Sequence, residues 1–326
     1  MSGRLRLGVL TRVYRPDRSP DALHETLALF EAAEALGFDS AWVAQHHFGT
    51  ESGRLPSPLV LLAAAAQRTR RIRLGTGVIV LPLEHPLRLA EDAVVLDALS
   101  DGRLELGLGA GFDPRVFEAF GQDIEQRHAQ QAASMRALQC ALSGELLTVQ
   151  GATLQPPGSA LRQRLWQATS YAQSAAENGN GLIIARTRAG QLTEADLAAR
   201  YRQSWSHAHP YRIALVRAIV PGEDPVAVRT AIGPDIRRYI ERMATLTGTA
   251  TPVETDLGAA LAQLGVLHGT PDQIVEALQN DAALPYATDL IVQVQTESTS
   301  LDDAIRRLEY VATAVAPALD ASALHR

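Results

Sequence analysis

Two adjacent histidines, His46 and His47, follow a short apolar run and are the side chains best suited to proton chemistry in this chain. An imidazole with a pKa near neutrality can donate a proton or a hydrogen bond to a substrate oxygen. Because neighbouring side chains of an extended segment point to opposite sides, at most one of the two enters a given cavity. The alternative is that one anchors its loop through a hydrogen bond and the other packs beneath Phe48. We expect no metal centre, since only Glu84 and His85 add ligand types at another strand end.

Glycines and hydroxyl side chains mark three further segments. In residues 75–78, Gly-Thr-Gly-Val, glycine within an aliphatic strand indicates strand-twist accommodation or close approach by another group, such as a planar ligand. The glycines of 107–111 suggest a dinucleotide-binding fingerprint, but the last glycine and the acidic residue of that motif are missing. In 166–174 a strand runs into a helix, where phosphate binding and ordinary capping by Thr169 or Ser170 are equally compatible.

The elements that position these residues alternate between short apolar runs and longer amphipathic stretches, a pattern typical of parallel strands covered by helices. The expected strands are 5–11, 40–45, 73–80, 104–109, 165–169, 181–186, 211–220 and 289–295. The expected helices are 20–36, 57–69, 86–99, 116–142, 170–178, 271–279 and 300–315. Eight strands in this alternation predict an α/β fold, a closed (β/α)₈ TIM barrel with loop and helical insertions, rather than an open doubly wound sheet.

The chain is expected to form one domain, 1–326, with a helical insertion around 222–264. The connection between the seventh and eighth strands is too long for one crossover helix, so 225–264 should hold one or two extra helices. The segments 151–158 and 188–210 are expected to be active-site loops, because long irregular connections are usually functional or mobile.

Composition excludes several classes of protein. Hydrophobic residues make up 46% and charged residues 20%, which suits a large buried core. The net charge of −6 gives no support for nucleic-acid binding. No apolar run approaches the roughly 20 residues needed to cross a bilayer, and the N-terminus lacks a signal-peptide core. The single cysteine, Cys140, is expected to be buried and inert. We therefore expect a cytoplasmic protein that acts on a small molecule, with no nucleic-acid or membrane partner.

Residues at the carboxyl ends of barrel strands face the active site. This criterion selects Thr11, Gln45, His46, His47, Thr76, Gly77, Gly109, Ala110, Gly111, Thr169, Ser170, Arg186 and Gln293.

Several of these segments resemble motifs of the bacterial luciferase-like, flavin-dependent monooxygenase family. The likeness is carried by residues 37–48 (GFDSAWVAQHHF), 81–91 (LPLEHPLRLAE), 100–103 (SDGR) and 169–170 (TS). The resemblance implies a barrel that binds reduced FMN, or the deazaflavin F420, with the ring system at its C-terminal mouth. It implies that His46 is catalytic, that the bond between Gly77 and Val78 is a cis peptide under the ring, and that 239–264 helps to close the site. The implied cofactor-binding residues are Thr76, Gly77, Val78, Gly109, Ala110, Thr169, Ser170, Ser174 and Arg186.

Two positions depart from the family's pattern. Gln45 stands where many members carry glutamate, and Ala110 stands where an arginine often meets the phosphate. Phosphate then needs another cation, for which Arg186 or Arg188 is the candidate.

The resemblance implies a two-component monooxygenase that acts on paired donors and incorporates one atom of O₂ into an organic substrate. A separate flavin reductase would supply reduced FMN in a transient encounter, and the enzyme would be a homodimer. His46 would donate a hydrogen bond or proton to the activated oxygen or to a substrate oxygen. The alternatives are F420-dependent hydride transfer, which needs no O₂, and a flavin-binding paralogue without catalysis.

Overall fold

The computed structural model describes residues 4–14, 19–48, 53–185, 192–247 and 256–323. Its strands are β1 Arg6–Thr11, β2 Ser40–Val43, β3 Arg73–Thr76, β4 Ile79–Val80, β5 Leu104–Gly109, β6 Leu165–Ala168, β7 Gly181–Ile184, β8 Ile213–Pro221, β9 Leu267–Gly269 and β10 Asp289–Gln293. All of their pairings are parallel, and β10 closes the sheet by pairing with both β1 and β8. With β4 and β9 set aside, eight strands form the ring, which confirms the predicted (β/α)₈ barrel.

Helices surround the barrel. They are α1 Asp21–Ala35, α2 Pro58–Arg68, α3 Pro86–Leu99, α4 Pro114–Ala119, α5 Arg127–Leu142, α6 Ser159–Arg162, α7 Ala172–Glu177, α8 Glu194–Ser204, α9 Pro225–Thr247, α10 Leu257–Leu264, α11 Pro271–Gln279, α12 Leu301–Tyr310 and α13 Ala316–Ala323. Local signals explain where several begin. Pro58, Pro86 and Pro271 stand in the first turns of their helices. A backbone N–H has no partner within the helix there, so proline, which lacks an N–H, costs no hydrogen bond. Thr270 and Gln273 form a reciprocal capping box at the start of α11.

The helix expected over 116–142 is interrupted. Gly121, with φ +65°, follows the end of α4, and the side chain of Asp123 then accepts the N–H of Glu125 in a short 3₁₀ turn before α5 starts. A left-handed residue stops an α-helix, and glycine adopts that conformation without a side-chain clash. On α5, Cys140 is exposed, so the expectation of a buried thiol was wrong.

The two segments expected to be active-site loops are corrected. Residues 151–158 are irregular, but they connect α5 to the start of β6 and so lie at the amino-terminal end of the barrel, opposite the mouth. Of 188–210, residues 188–191 lie outside the described part of the chain and Glu194–Ser204 forms α8, whose start is capped by the Thr193 side chain. The buried Arg217 on β8 holds that helix through Glu194, at 2.9 Å, and also bonds Asp281, at 2.7 Å.

The long connection after β8 contains α9 and α10, as expected of extra helices. The helix expected to begin at Ser170 begins at Ala172, after Tyr171. The last helix continues beyond the expected end through a π-helical turn, Val311–Val315, into α13.

Two tryptophans fill the middle of the barrel. The rings of Trp42 and Trp166 meet edge to face, with centroids 5.7 Å apart, and both side chains are about 1% exposed. A Cβ atom at Gly75 would lie 2.2 Å from the Trp42 ring, and one at Gly181 would lie 2.3 Å from the Trp166 ring. The glycine in the third strand is therefore explained by an indole of the protein itself, not by a planar ligand or by strand twist.

Charged side chains close the barrel below this pair. Glu105 accepts a hydrogen bond from Trp166 Nε1 at 2.7 Å and forms ion pairs with Arg73 and Arg212. The Arg212 guanidinium lies 4.6 Å from the centre of the Trp166 ring, within range of a cation–π interaction. A ligand inside the barrel is therefore restricted to the space above the tryptophans.

Replacing Gly75 by alanine is expected to lower the free energy of unfolding by about 1–3 kcal/mol, because the new methyl group overlaps the Trp42 ring. Urea unfolding of Gly75→Ala, Trp42→Leu and the double variant measures the coupling, and the double variant should lose less stability than the sum of the single variants. Gly222→Ala, which crowds Val228 outside the barrel, is the matched control and should be additive with Trp42→Leu. Additivity of the Gly75 pair would contradict this packing.

Candidate functional site

Small and branched apolar side chains form a floor at the barrel mouth, one layer above the tryptophans. This mouth floor consists of Leu10, Ala44, Val78, Ala168, Ile183 and Val216, all in one inward-facing cluster with Trp42 and Trp166. Val78, Ala168 and Val216 are only partly buried, so a ligand in the mouth can reach them. The floor offers a flat aromatic group an apolar contact surface.

The backbone at Gly77 and Val78 crosses the edge of this floor. The bond between them is a cis peptide, as the family resemblance implied. Gly77 is partly exposed, and a Cβ placed there would have only Leu10, at 3.2 Å, and Trp42 within 4 Å. A side chain at Gly77 would therefore crowd Leu10, and the backbone of this residue remains partly exposed.

Thr76 and Gly109 were expected to contact a cofactor, but the structure uses both within the barrel. The Thr76 hydroxyl bonds the carbonyl and the N–H of Gly107, each at 2.8 Å, and its side chain is fully buried. A Cβ at Gly109 would lie 2.6 Å from Val78 Cγ2, so the missing side chain makes room for that valine. Val78 then covers Gly109, and neither predicted residue presents a side-chain group to the mouth.

His46 continues the inward alternation of Trp42 and Ala44 on the second strand. Its Nδ1 is buried with no hydrogen-bond partner in the described part of the chain, beside Gly53, where a Cβ would lie 2.5 Å from it. Burial, then the positive charge of Arg12, lowers the pKa of His46 to about 3. The expectation of a pKa near neutrality was therefore wrong, and His46 is a neutral hydrogen-bonding group at physiological pH.

His47 points elsewhere, as expected for adjacent residues of an extended segment. Its ring packs edge to face on Phe120, with centroids 4.8 Å apart, and lies 5.9 Å from the ring of Phe48. Burial lowers the pKa of His47 as well. Although both histidines border a small pocket of about 40 Å³, only His46 follows the inward face of its strand.

Gln45 joins the second strand to the segment after the cis peptide. Its side-chain carbonyl accepts the N–H of Val80 at 2.7 Å, while its amide donates to Glu84, at 3.0 Å, and to the Pro56 carbonyl, at 3.1 Å. A glutamate at this position could accept the first of these bonds but could not donate the other two when ionised. Burial raises the pKa of Glu84, which accepts the hydrogen bond of the Gln45 amide.

The expected phosphate end lies where β6 meets α7. The Thr169 hydroxyl accepts the N–H of Tyr171, at 3.0 Å, so it shapes the turn; neither it nor Ser170 caps the helix. Ser170 and Ser174 are exposed, and Ala110 is partly buried at the end of β5. Arg186 and Arg188 lie outside the described residues.

Arg127 is a positively charged residue that the strand-end criterion did not select. The ring of His128, in the first turn of α5, contacts the ring of Tyr171, with centroids 5.7 Å apart. Arg127, the residue before His128, begins α5, and its Nη1 donates to the Ile124 carbonyl at 2.9 Å. The sequence signal for Arg127 was only its position at a helix start, which does not reveal its neighbours.

Arg12 was also missed, although the strand alternation indicated it. Leu10 faces inward, so Arg12, two residues on, faces the mouth, whereas the Thr11 side chain is buried and accepts the N–H of Val13 at 3.1 Å. Arg12 borders a cavity of about 140 Å³, which we term the mouth cavity. Its walls also include Tyr14, Ala218, Val220, Asp235, Ile236, Tyr239, Arg242, Leu264, Val266, Gln293, Gln295, Thr296 and Glu297.

The described ranges also bear on the class of protein. They contain no group of three or more His, Cys, Asp or Glu residues arranged to hold a metal ion. Of the helices between residues 4 and 323 that the structure describes, none combines the length and apolar character needed to span a bilayer.

Comparison with known sequences identifies related proteins. The family model described as luciferase-like monooxygenase matches residues 5–287. The chain is 30% identical over 296 residues to uncharacterized protein y4wF of Sinorhizobium fredii, covering 85% of this chain and 86% of that protein. It is 40% identical to 4-hydroxyprotoasukamycin monooxygenase of Streptomyces nodosus subsp. asukaensis over 124 residues, which is 38% of this chain and 33% of that enzyme.

Solved structures share the fold. Monooxygenase RslO1 from Streptomyces bottropensis superposes with a TM-score of 0.80 at 26% identity, covering 96% of this chain and 99% of that one. The oxygenating constituent of 3,6-diketocamphane monooxygenase from Pseudomonas putida, in complex with FMN, has a TM-score of 0.75 at 19% identity, with 97% and 99% covered. An F420-dependent tetrahydromethanopterin reductase from Methanopyrus kandleri has a TM-score of 0.69 at 18% identity, with the same coverage.

The low pKa of His46 predicts a pH-dependent contribution to stability. The pKa of His46 in the folded protein lies below 6.5, the ordinary value for histidine. The neutral buried ring therefore contributes to stability above pH 6.5, and this contribution is lost as the pH falls towards 3. The slope is at most about 1.4 kcal/mol per pH unit. Urea unfolding between pH 7 and pH 4 should show a flatter profile for His46→Gln than for the wild type, while His24→Gln, at an exposed site on α1, should change nothing. Parallel profiles of the wild type and His46→Gln would contradict the assignment.

Gln45→Glu is expected to lower the free energy of unfolding by about 1–3 kcal/mol, because the bonds to Glu84 and to the Pro56 carbonyl lose their donor. The loss should be larger at pH 8 than at pH 5, since two ionised carboxylates then face each other and protonation of one restores a donor. The control is Gln45→Glu combined with Glu84→Gln, which exchanges donor and acceptor and should recover part of the stability. Equal stability of Gln45→Glu and the wild type at pH 8 would show that the amide is not needed.

Proposed function

The chain belongs to the luciferase-like monooxygenase family, and on this premise we propose that it is a flavin-dependent monooxygenase that uses reduced FMN and O₂ to oxidise a small organic molecule. The observation that carries the proposal is the mouth floor, an apolar surface at the carboxyl ends of the strands. His46 follows the floor residue Ala44 by two positions along the chain. The named monooxygenases among its relatives support oxidoreductase chemistry for this chain.

The residues of the mouth fit a flavin. The backbone of Gly77 is partly exposed, and the partly buried side chains of Val78 and Ala168 offer apolar contacts. Ser170 and Ser174 offer exposed hydroxyl groups for a phosphate. The cation that we propose for the phosphate is Arg127, whose neighbour in the sequence, His128, contacts the ring of Tyr171. Arg186 remains our candidate for a second positively charged residue that binds the phosphate.

Reduced flavin, when bound, supplies the electrons that activate O₂. The protein's own part is to hold the cofactor, exclude water and orient the substrate. The packed layer of Trp42 and Trp166 prevents water from entering from below. His46 acts as a neutral imidazole, which donates or accepts a hydrogen bond at an oxygen in the mouth without carrying a charge there.

A separate reductase, a homodimer, a cytoplasmic location and incorporation of one oxygen atom remain predictions. Use of F420 for hydride transfer is the alternative, because structures with this fold include an F420-dependent reductase. A flavin-binding paralogue without catalysis is the other alternative.

Anaerobic titration of the full chain with reduced FMN, reduced riboflavin and reduced F420 decides between cofactors. We expect reduced FMN to bind most tightly, and its advantage over riboflavin to shrink in Arg127→Ala because that variant removes a cation beside the phosphate. ¹⁸O₂ should then label one oxygen of the product in a substrate screen, and His46→Ala should bind flavin while losing product formation. Tighter binding of F420, or product formation without O₂, would contradict the proposal.

A further inference from the structure

The mouth cavity carries information about the substrate. It lies at the carboxyl ends of β1, β8 and β10, with α9 across it. Its volume of about 140 Å³ is close to that of engineered cavities of about 150 Å³ that bind benzene. The cavity therefore accommodates one six-membered ring.

The guanidinium of Arg12 enters this cavity without an acidic partner. Its Nη1 lies 3.5 Å from the Tyr14 hydroxyl, and the Tyr239 hydroxyl is its other polar neighbour. No ion pair joins Arg12 to a carboxylate in the part of the chain that the structure describes. Both neighbours are phenol groups, not carboxylates, so the guanidinium is hydrogen-bonded without an ion pair, and a shielded charge of this kind favours an anionic partner.

The acidic residues in the cavity wall are already paired. Asp235 accepts hydrogen bonds from the N–H and the hydroxyl of Ser298, at 2.9 and 2.7 Å, and forms an ion pair with Arg238. Glu297 pairs with the same arginine at 3.3 Å. These carboxylates face Arg238 on α9, which leaves Arg12 as a cation to be matched from inside the cavity.

A neighbouring acceptor restricts the ligand further. Gln295 borders the cavity, and its Oε1 is buried without a hydrogen-bond partner among residues 4–14, 19–48, 53–185, 192–247 and 256–323. A buried amide oxygen of this kind requires a donor. A ligand that places an anionic oxygen at Arg12 and a hydroxyl or N–H group near Gln295 would satisfy both.

The cavity adjoins the proposed reaction centre. β1 and β2 are neighbours in parallel register, with Thr11 opposite Val43, so Arg12 lies beside Ala44 and one inward step below His46. The effect of the Arg12 charge on the titration of His46 agrees with this proximity. A molecule anchored on Arg12 would extend towards His46 and the mouth floor.

We propose that the mouth cavity binds the organic substrate, and that this substrate is a ring compound with an anionic oxygen, a carboxylate or an ionised enol or phenol, held by Arg12. The inference rests on the proposed function, because it places a substrate beside the flavin. Arg12 binds and positions the substrate, and the mouth floor receives the part to be oxidised.

Binding of 4-fluorobenzoate and of the neutral 4-fluorobenzamide to the full chain, followed by ¹⁹F NMR titration, tests the proposal. The two probes have nearly the same shape and differ in charge. We expect the benzoate to bind at least about tenfold more tightly than the amide, and Arg12→Gln to abolish this preference while leaving the amide's affinity unchanged. The matched control is Arg237→Gln, an exposed arginine on α9 that does not border the cavity, and it should keep the preference.

Equal affinity of the two probes for the wild type, or a preference that survives in Arg12→Gln, would overturn the proposal. Arg12→Lys provides a second variant if the glutamine variant does not fold; it keeps the charge and should retain part of the preference. The titration needs no flavin, so a benzoate preference in a protein that binds no flavin would refute the proposed function and leave the anion site standing. Flavin binding without a benzoate preference would refute the anion site and leave the proposed function standing.

Discussion

The contact between two indole rings and two glycines determines the depth of the site. Trp42 and Trp166 occupy the barrel axis only because Gly75 and Gly181 have no side chains, and either Cβ would overlap a ring by more than 1 Å. The ion pairs of Glu105 lie below them, and the small side chains of the mouth floor lie above them. A barrel packed in this way has one accessible end, and ligand chemistry is restricted to it.

Above this packed layer, the polar groups are arranged so that few charges remain uncompensated. Burial keeps His46 neutral, and Gln45 uses an amide, not a carboxylate, to tie the second strand to the segment after the cis peptide. The carboxylate of Glu84 is bonded to that amide. Arg12 contributes a positive charge at the mouth cavity without an ion pair to a described carboxylate. A neutral imidazole beside a cation suits a site that stabilises negative charge on oxygen.

Periodicity in the sequence was sufficient for the barrel, because continuous apolar runs and their spacing depend on local backbone geometry. It also predicted that His46 and His47 would point apart. The family resemblance, not periodicity, assigned Gly109 to cofactor binding. A missing side chain looks the same from the sequence whether a cofactor or a protein side chain such as Val78 lies beside it. The alternation of inward and outward residues on β1 could have indicated Arg12. Its importance depends on the groups around it, including Tyr239, which is remote in the sequence. Contacts between distant segments set these roles, and no local pattern encodes them.

An anaerobic crystal structure of the protein with reduced FMN tests the central claim most directly. The account predicts that the flavin ring lies on the mouth floor, in contact with Gly77, Val78 and Ala168, and above an unchanged pair of Trp42 and Trp166. Flavin bound elsewhere on the barrel, or a mouth that stays filled by the protein's own side chains at saturating FMN, would contradict it.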